Sequence, residues 1–150
     1  MKDTEELKSL IRSLMDKQKL AVLATHSQGQ PYTSLVAFVA SKDLRYIFFA
    51  TPQTTRKYAN LRSDARVSLM IDSRSNQDLD FHQAMAATAV GSAEVLEKSV
   101  SGDFLDRYLK MHPYLEDFIK SPTCAWIQVK IVHYYLVKNF QNVTELEMKS

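Results

Sequence analysis

Phe48-Phe49-Ala50-Thr51-Pro52-Gln53-Thr54-Thr55-Arg56-Lys57-Tyr58 carries an apolar strand straight into hydroxyl residues and two cations at the start of a helix. The first turn of a helix holds unpaired N–H groups and positive partial charge, so Arg56 and Lys57 are electrostatically out of place there. A bound anion resolves the conflict, because a helix N-terminus with nearby cations is a ready phosphate site. An ordinary exposed helix whose cations point into water accounts for the same residues. The flanking strands decide between these readings.

Upstream, residues 20–25, 31–39 and 44–51 are short apolar runs joined by Ser27-Gln28-Gly29-Gln30 and Ser41-Lys42-Asp43. Three strands with turns at that spacing describe an antiparallel meander. Leu35, Ala37 and Val39 alternate with Val36 and Phe38, and Tyr46 and Phe48 alternate with Ile47 and Phe49. Strands apolar on both faces are covered on both sides, as in a closed barrel wrapped by helices or a partner subunit. Ahead of the meander, Leu7, Leu10, Ile11 and Leu14 make one helix face over residues 4–17, with Asp3 and Glu6 as a capping box.

Downstream, the helix carrying Tyr58 and Leu61 ends near Ser63-Asp64, and residues 66–72 form a strand with Val67, Leu69 and Ile71 on one face. Residues 73–82 are a polar loop, long for a simple hairpin. Residues 85–96 read as a strand rich in small side chains, suited to tight barrel packing or to close approach of a planar ligand. Phe104, Leu105, Tyr108 and Leu109 mark a helix stopped by His112-Pro113, and a short helix follows at 114–120. Two strand-like segments, 125–132 and 134–140, finish the chain; in the first, Ile127, Val129 and Ile131 face inward. The class is α+β, mainly β.

With 150 residues, 45% hydrophobic and 24% charged, the chain is one ordinary globular domain by length and composition. A net charge of +2 gives no sign of a nucleic-acid or membrane-surface partner. No apolar run reaches membrane-spanning length and no signal-peptide core is visible, so a soluble cytoplasmic protein is expected. The single Cys124 excludes an internal disulfide and a cysteine-rich zinc site. The four histidines show no metal spacing; Asp78, Asp80 and His82 could meet a cation, but a solvated loop explains them better. Ser34 has no flanking glycine and so no nucleophile elbow. What remains is a barrel with one phosphate-like cradle beside apolar strands, which suits a phosphorylated, planar cofactor.

Phe49-Ala50-Thr51, Thr55-Arg56-Lys57, Asn60-Leu61 and Arg66-Val67-Ser68-Leu69 follow one another in the order and spacing of a known pattern. Thr88-Ala89-Val90-Gly91-Ser92-Ala93-Glu94 adds a strand with a central glycine. Over about residues 20–96 the chain resembles the pyridoxamine 5′-phosphate oxidase-like family of FMN-binding proteins. The resemblance implies a six- to seven-stranded antiparallel split β-barrel with flanking helices, and FMN as the cofactor. It implies that Arg56 and Lys57 hold the FMN phosphate, with Thr51, Thr54 and Thr55 supplying hydroxyls. Phe49 and Ala50 would line the ring through their backbone, and Ser34 would border the pocket. It further implies a homodimer with sites at the interface, where Arg74, Ser75 and Asn76 reach the partner's flavin, and an oxidoreductase acting on a small-molecule substrate.

Departures from the pattern narrow this. Oxidases of pyridoxamine phosphate proper carry an Arg-x-Val-Leu-Leu-Lys type strand, where this chain has Thr33-Ser34-Leu35-Val36-Ala37-Phe38 and neither cation. Their glutamine ahead of the strand glycine is Ala86 here, and their C-terminal substrate motif has no counterpart. Vitamin B6 oxidation is therefore not implied. A flavin carrier or sensor without turnover is the alternative, as is a haem-binding or haem-degrading split barrel with His133 as an iron ligand. Deazaflavins share the same cofactor shape.

Overall fold

Leu7, Ile11 and Leu14 do drive a helix, α1 (Lys2–Lys17), whose buried face also carries Met15. It appears in a computed structural model that describes residues 2–149. Because α1 begins ahead of Asp3, that residue sits within the first turn and not at the expected cap position. Its charge still suits the positive end of the helix.

Seven strands follow: β1 (Leu20–Ser27), β2 (Gln30–Ala40), β3 (Tyr46–Pro52), β4 (Arg66–Asp72), β5 (Ala86–Val95), β6 (Cys124–Lys138) and β7 (Asn142–Glu147). Helices α2 (Arg56–Ser63), α3 (Asp80–Gln83), α4 (Gly102–Met111) and α5 (Glu116–Lys120) are threaded between them. All pairings are antiparallel, in the order β3-β2-β1-β4-β5-β6-β7. A further β3–β6 pairing closes six strands into a barrel and leaves β7 outside the ring. This is the antiparallel split barrel with flanking helices expected from the sequence.

The split has a definite position. β2 meets β3 only at Phe38↔Phe49, Val39↔Phe48 and Ala40↔Ile47. Before Phe38, β2 stays with β1, while beyond Phe49, β3 stays with β6 as far as Pro52↔Cys124. Helix α2 packs against β1, β2 and β3 around this gap. Its buried Asn60 donates from Nδ2 to the buried Thr25 Oγ1 at 3.0 Å, and Leu61 enters the core.

Alternation sorts the apolar strands into two cores. Val36, Phe38, Ile47 and Phe49 point into the barrel with Leu23, Leu69, Ile71, Ile127 and Val129. Val39, Phe48, Ala50 and Trp126 point outward, under Phe104 and Tyr108 of α4 and Ile119 of α5. Each large side chain buried this way contributes about 1.5–3 kcal/mol. Phe104 stacks on Trp126 at 5.1 Å between ring centres, and Trp126 Nε1 donates to the Ile119 carbonyl at 2.8 Å. The chain's own helices thus cover β3 and β6 on the outside. Leu35 of β2 stays 64% exposed.

The C-terminal strands correct the sequence-based expectation. Segment 125–132 and residues 134–138 of the second segment are one strand, β6, interrupted by a bulge, and residues 139–140 belong to the turn after it. Val90 faces His133 but Gly91 faces Ile131, so Val132 is the extra residue. The inward set therefore switches from Ile127, Val129 and Ile131 to Tyr134 and Leu136. β7 was not expected at all: it is an edge strand in which Leu146 alone is buried. At the bulge the β5 backbone lies so close to β6 that a Cβ on Gly91 would run into the Lys130 carbonyl. Small residues on β5 serve barrel packing here, with Ala87 and Ala89 fully buried in the core.

Helix α4 is tied to the barrel by His112 at its C-terminal cap. The ring is buried, lies 4.9 Å from the Tyr108 ring, and its Nε2 donates to the Phe38 carbonyl at 2.7 Å. Burial holds its pKa below the ordinary histidine value; the Phe38 carbonyl partly opposes this, and the Lys19 charge adds to the lowering.

Two outcomes are expected. Gly91→Ala forces backbone apart at a buried bulge and should cost about 2–3 kcal/mol in urea unfolding. A cost under about 0.5 kcal/mol would show that the strands separate freely there. For His112, the unfolded state binds the proton more tightly than the folded state. Its contribution is therefore complete above pH ~6.5 and falls as pH drops below that value, by at most about 1.4 kcal/mol per pH unit. Unfolding free energies between pH 5 and 7.5 should flatten in His112→Gln; an unchanged slope would assign the dependence to other groups.

Candidate functional site

The start of α2 is built as the sequence suggested. Thr55 is its N-cap, in extended conformation, and accepts the Tyr58 N–H at 3.3 Å. The first helical bond to the backbone runs from Ala59 N to the Thr55 carbonyl, so the Arg56 and Lys57 N–H groups precede the intrahelical ladder. The first turn has no acidic residue. Arg56 is exposed and Lys57 half-buried, and neither joins any ion pair among the described residues. Two unneutralised cations therefore stand on the positive end of a helix.

Thr51 and Thr55 have a different part. Their hydroxyls lie 2.7 Å apart, and both are within 3.1 Å of the Pro52 carbonyl. Two hydroxyl protons are thereby taken up inside the turn, which fixes how β3 enters α2. Thr54 is exposed and free of that network. Phe49 is fully buried in the barrel with Phe38 and Ile127 on either side of it, and Ala50 faces the outer cluster, so only the Ala50 backbone edge is open to a ligand. Past Phe49 the β2-facing edge of β3 has no strand beside it, which leaves backbone at Ala50 available at the gap, up to the Pro52 carbonyl that the two threonine hydroxyls occupy.

Ser34 lies opposite Leu23 and shares the inward face of β2 with Val36 and Phe38. Its Oγ is buried without a hydrogen-bond partner. Arg74 and Asn76 are not at the α2 start. They line a surface groove of about 520 Å³ with Lys19, Leu20, Leu35 and Met70, on the outer face of β1, β2 and β4. Arg74 is anchored by its Nε to Asp72 at 2.9 Å, and Ser75 is drawn inward by Asp80. The single chain thus gathers Thr51–Lys57 and the β3 edge in one place, and Arg74 to Asn76 in another.

Asp80 answers the question of a cation in this loop. Its carboxylate accepts the Ser75 N–H, the Ser75 hydroxyl and the Asn76 N–H, at 2.7–2.9 Å. Those bonds hold it below the usual carboxylate range. It organises the loop and α3, and no metal-holding group of three His, Cys, Asp or Glu exists among the described residues. Cys124 is buried, which pushes its thiol pKa up, away from nucleophilic use. His133 sits on the outer face of β6 against Tyr135, with Glu145 3.6 Å from its Nε2. Thr51 pairs with Ala125, so His133 is roughly 25 Å further along β6 from the cradle. Leu20 and Met70, and the anchoring role of Asn60, had no sequence signal beyond ordinary strand and helix composition.

A family model described as pyridoxamine 5′-phosphate oxidase matches residues 4–138. The chain belongs to this family of split barrels. Its backbone is similar to that of a heme-binding protein from Mycobacterium smegmatis, with TM-score 0.82 and 16% identity, over 93% of this chain and 57% of that one. It is similar to a FAD-binding protein from Mesorhizobium loti, with TM-score 0.70 and 16% identity, over 85% and 90%. General Stress Protein 26 from Bacillus anthracis matches with TM-score 0.74 and 16% identity, over 95% and 99%. These identities establish a shared fold. No curated protein sequence matches the chain.

Proposed function

We propose that this chain binds FMN and works as an oxidoreductase on a small molecule. The observation that carries the reading is the pair of unpaired cations, Arg56 and Lys57, at the amide-open start of α2 beside the free edge of β3. A phosphate group would be held by Arg56, Lys57, the Thr54 hydroxyl and the N–H groups of the first turn. Thr51 and Thr55 keep that turn in shape, and the β3 backbone beyond Phe49 offers its free edge to a polar ring edge. FMN, when bound, supplies the hydride or electron transfer; the protein contributes binding, orientation and electrostatics. Family membership supports a flavin, and so does the likeness to a FAD-binding protein. A haem held by His133 finds no support at the cradle, since that residue is distant and faces Glu145. One buried thiol suits a reducing cytoplasmic setting, and among the described residues no helix is long and apolar enough to cross a membrane.

The site is further proposed to be completed by a second copy of the chain. Leu20 and Leu35 are 55% and 64% exposed on the face shared with Val22 and Met70, an apolar surface that a homodimer would cover. Arg74 and Asn76 border that face, which would set them beside the partner's cradle.

Purified protein should be yellow, with flavin absorbance that is released as FMN. Arg56→Ala with Lys57→Ala should weaken FMN binding on the order of 100-fold while leaving the circular dichroism intact. Equal affinity would remove the phosphate assignment. Leu35→Glu should convert the dimer to monomer in sedimentation velocity and release flavin with it. A variant still dimeric would place the interface elsewhere.

A further inference from the structure

At the opposite end of β3 from the cradle, α1, the β2–β3 turn and α4 enclose a half-open cavity of about 390 Å³. Its floor is apolar: Ala40, Met111 and the edge of Val39 form the surface, with Met15 and Leu44 buried beneath it. Its rim carries Arg12, Lys42, Arg107 and Lys110 against the single carboxylate of Asp16. These cations come from three separate elements, so no one helix face explains their convergence.

The neutralisation of the rim is incomplete. Arg107 is held by Asp103 at 3.2 Å, and Arg12 Nε donates to the Lys42 carbonyl at 3.1 Å. Lys42 and Lys110 join none of the ion pairs among the described residues. The Met111 carbonyl at the end of α4, which would oppose an anion, is taken up by Lys19 Nζ at 3.2 Å. The floor is also preformed. Leu44 keeps a left-handed backbone with φ 65°, unusual for its side chain, and its carbonyl accepts the buried Tyr134 hydroxyl at 2.8 Å.

We propose that this cavity binds a small amphipathic carboxylate, an apolar acid with one anionic head. The head meets the Lys42 and Lys110 rim, and the apolar body covers Ala40, Met111 and the exposed edge of Val39. The volume lies near the lower end of small-molecule pockets, roughly 300–1,000 Å³, which suits a short-chain or single-ring body. The site is separate from the cradle and does not depend on flavin binding.

The test is isothermal titration of the full-length protein with decanoate, with decylamine as the matched cationic chain. Decanoate should bind saturably at one site per chain, and decylamine should not. Lys42→Glu with Lys110→Glu, both exposed and safe for folding, should weaken decanoate roughly tenfold or more. Arg56→Ala with Lys57→Ala should leave decanoate affinity unchanged. Absent saturation, equal affinity in the lysine variant, equal binding of decylamine, or loss in the cradle variant would each overturn the proposal.

Discussion

The parting of β2 from β3 after Phe38↔Phe49 is the constraint on which the rest of the molecule hangs. β3 cannot pair with both β2 and a second strand on the same edge, so its free length is decided by where β2 turns away. Its other edge runs with β6 from Tyr46 to Pro52, and that pairing is what closes the ring. The gap then exposes an edge that must be filled or hydrogen-bonded. Helix α2 blocks the interior side through Leu61 and the Asn60–Thr25 bond. What remains open is a strip of β3 backbone leading into the amide end of α2. Closure of the barrel and creation of the cradle are one geometric event.

Charge gives that strip its selectivity. An isolated cation on a helix start costs a few tenths of a kcal/mol or more, and the chain places two there with no acidic residue to offset them. The threonines could have absorbed the role of anion ligands, but their protons are committed to one another and to Pro52. Their hydroxyl network fixes the turn through which β3 delivers Arg56 and Lys57. Removing either hydroxyl would disturb the cradle's shape without removing its charge, a separation that charge-only substitutions do not share.

How much of this was legible depends on whether the signal was local. The Val67, Leu69, Ile71 alternation marks β4 to both of its ends, because strand period and burial agree. Both-sided apolarity in β3 correctly demanded cover, and α4 and α5 provide it over β3 and β6; in β2 the cover reaches Val39, while Leu35 stays exposed. β6 read as two strands because the Val132 bulge reverses the phase of burial, which looks in sequence like an ending. β7 was invisible because Asn142–Glu147 buries only Leu146, leaving no alternation to detect. In the cradle, the α2 start was legible from residue types, whereas the Thr51–Thr55 bond was not. The loop acids read as a solvated loop, and composition could not show that Asp80 organises it by accepting from Ser75 and Asn76. The rim of Lys42, Arg107 and Lys110 was beyond reach, being assembled across more than sixty residues of chain.

A fold shared with a heme-binding and a FAD-binding protein leaves the choice of cofactor to side chains, since likeness at 16% identity carries the backbone alone. Haem needs an axial ligand where its iron sits and apolar walls about a broad plane. His133, the ligand the haem alternative names, lies far along β6, on the outer face and beside Glu145. A phosphorylated flavin needs an anion site at one end and backbone polarity along one ring edge. The β3–α2 junction holds both within one turn of chain, and it holds them because β2 leaves β3 where it does. On that ground the geometry of the split supports the proposed flavin over a haem, while the apolar Leu20 and Leu35 face stays exposed on the single chain.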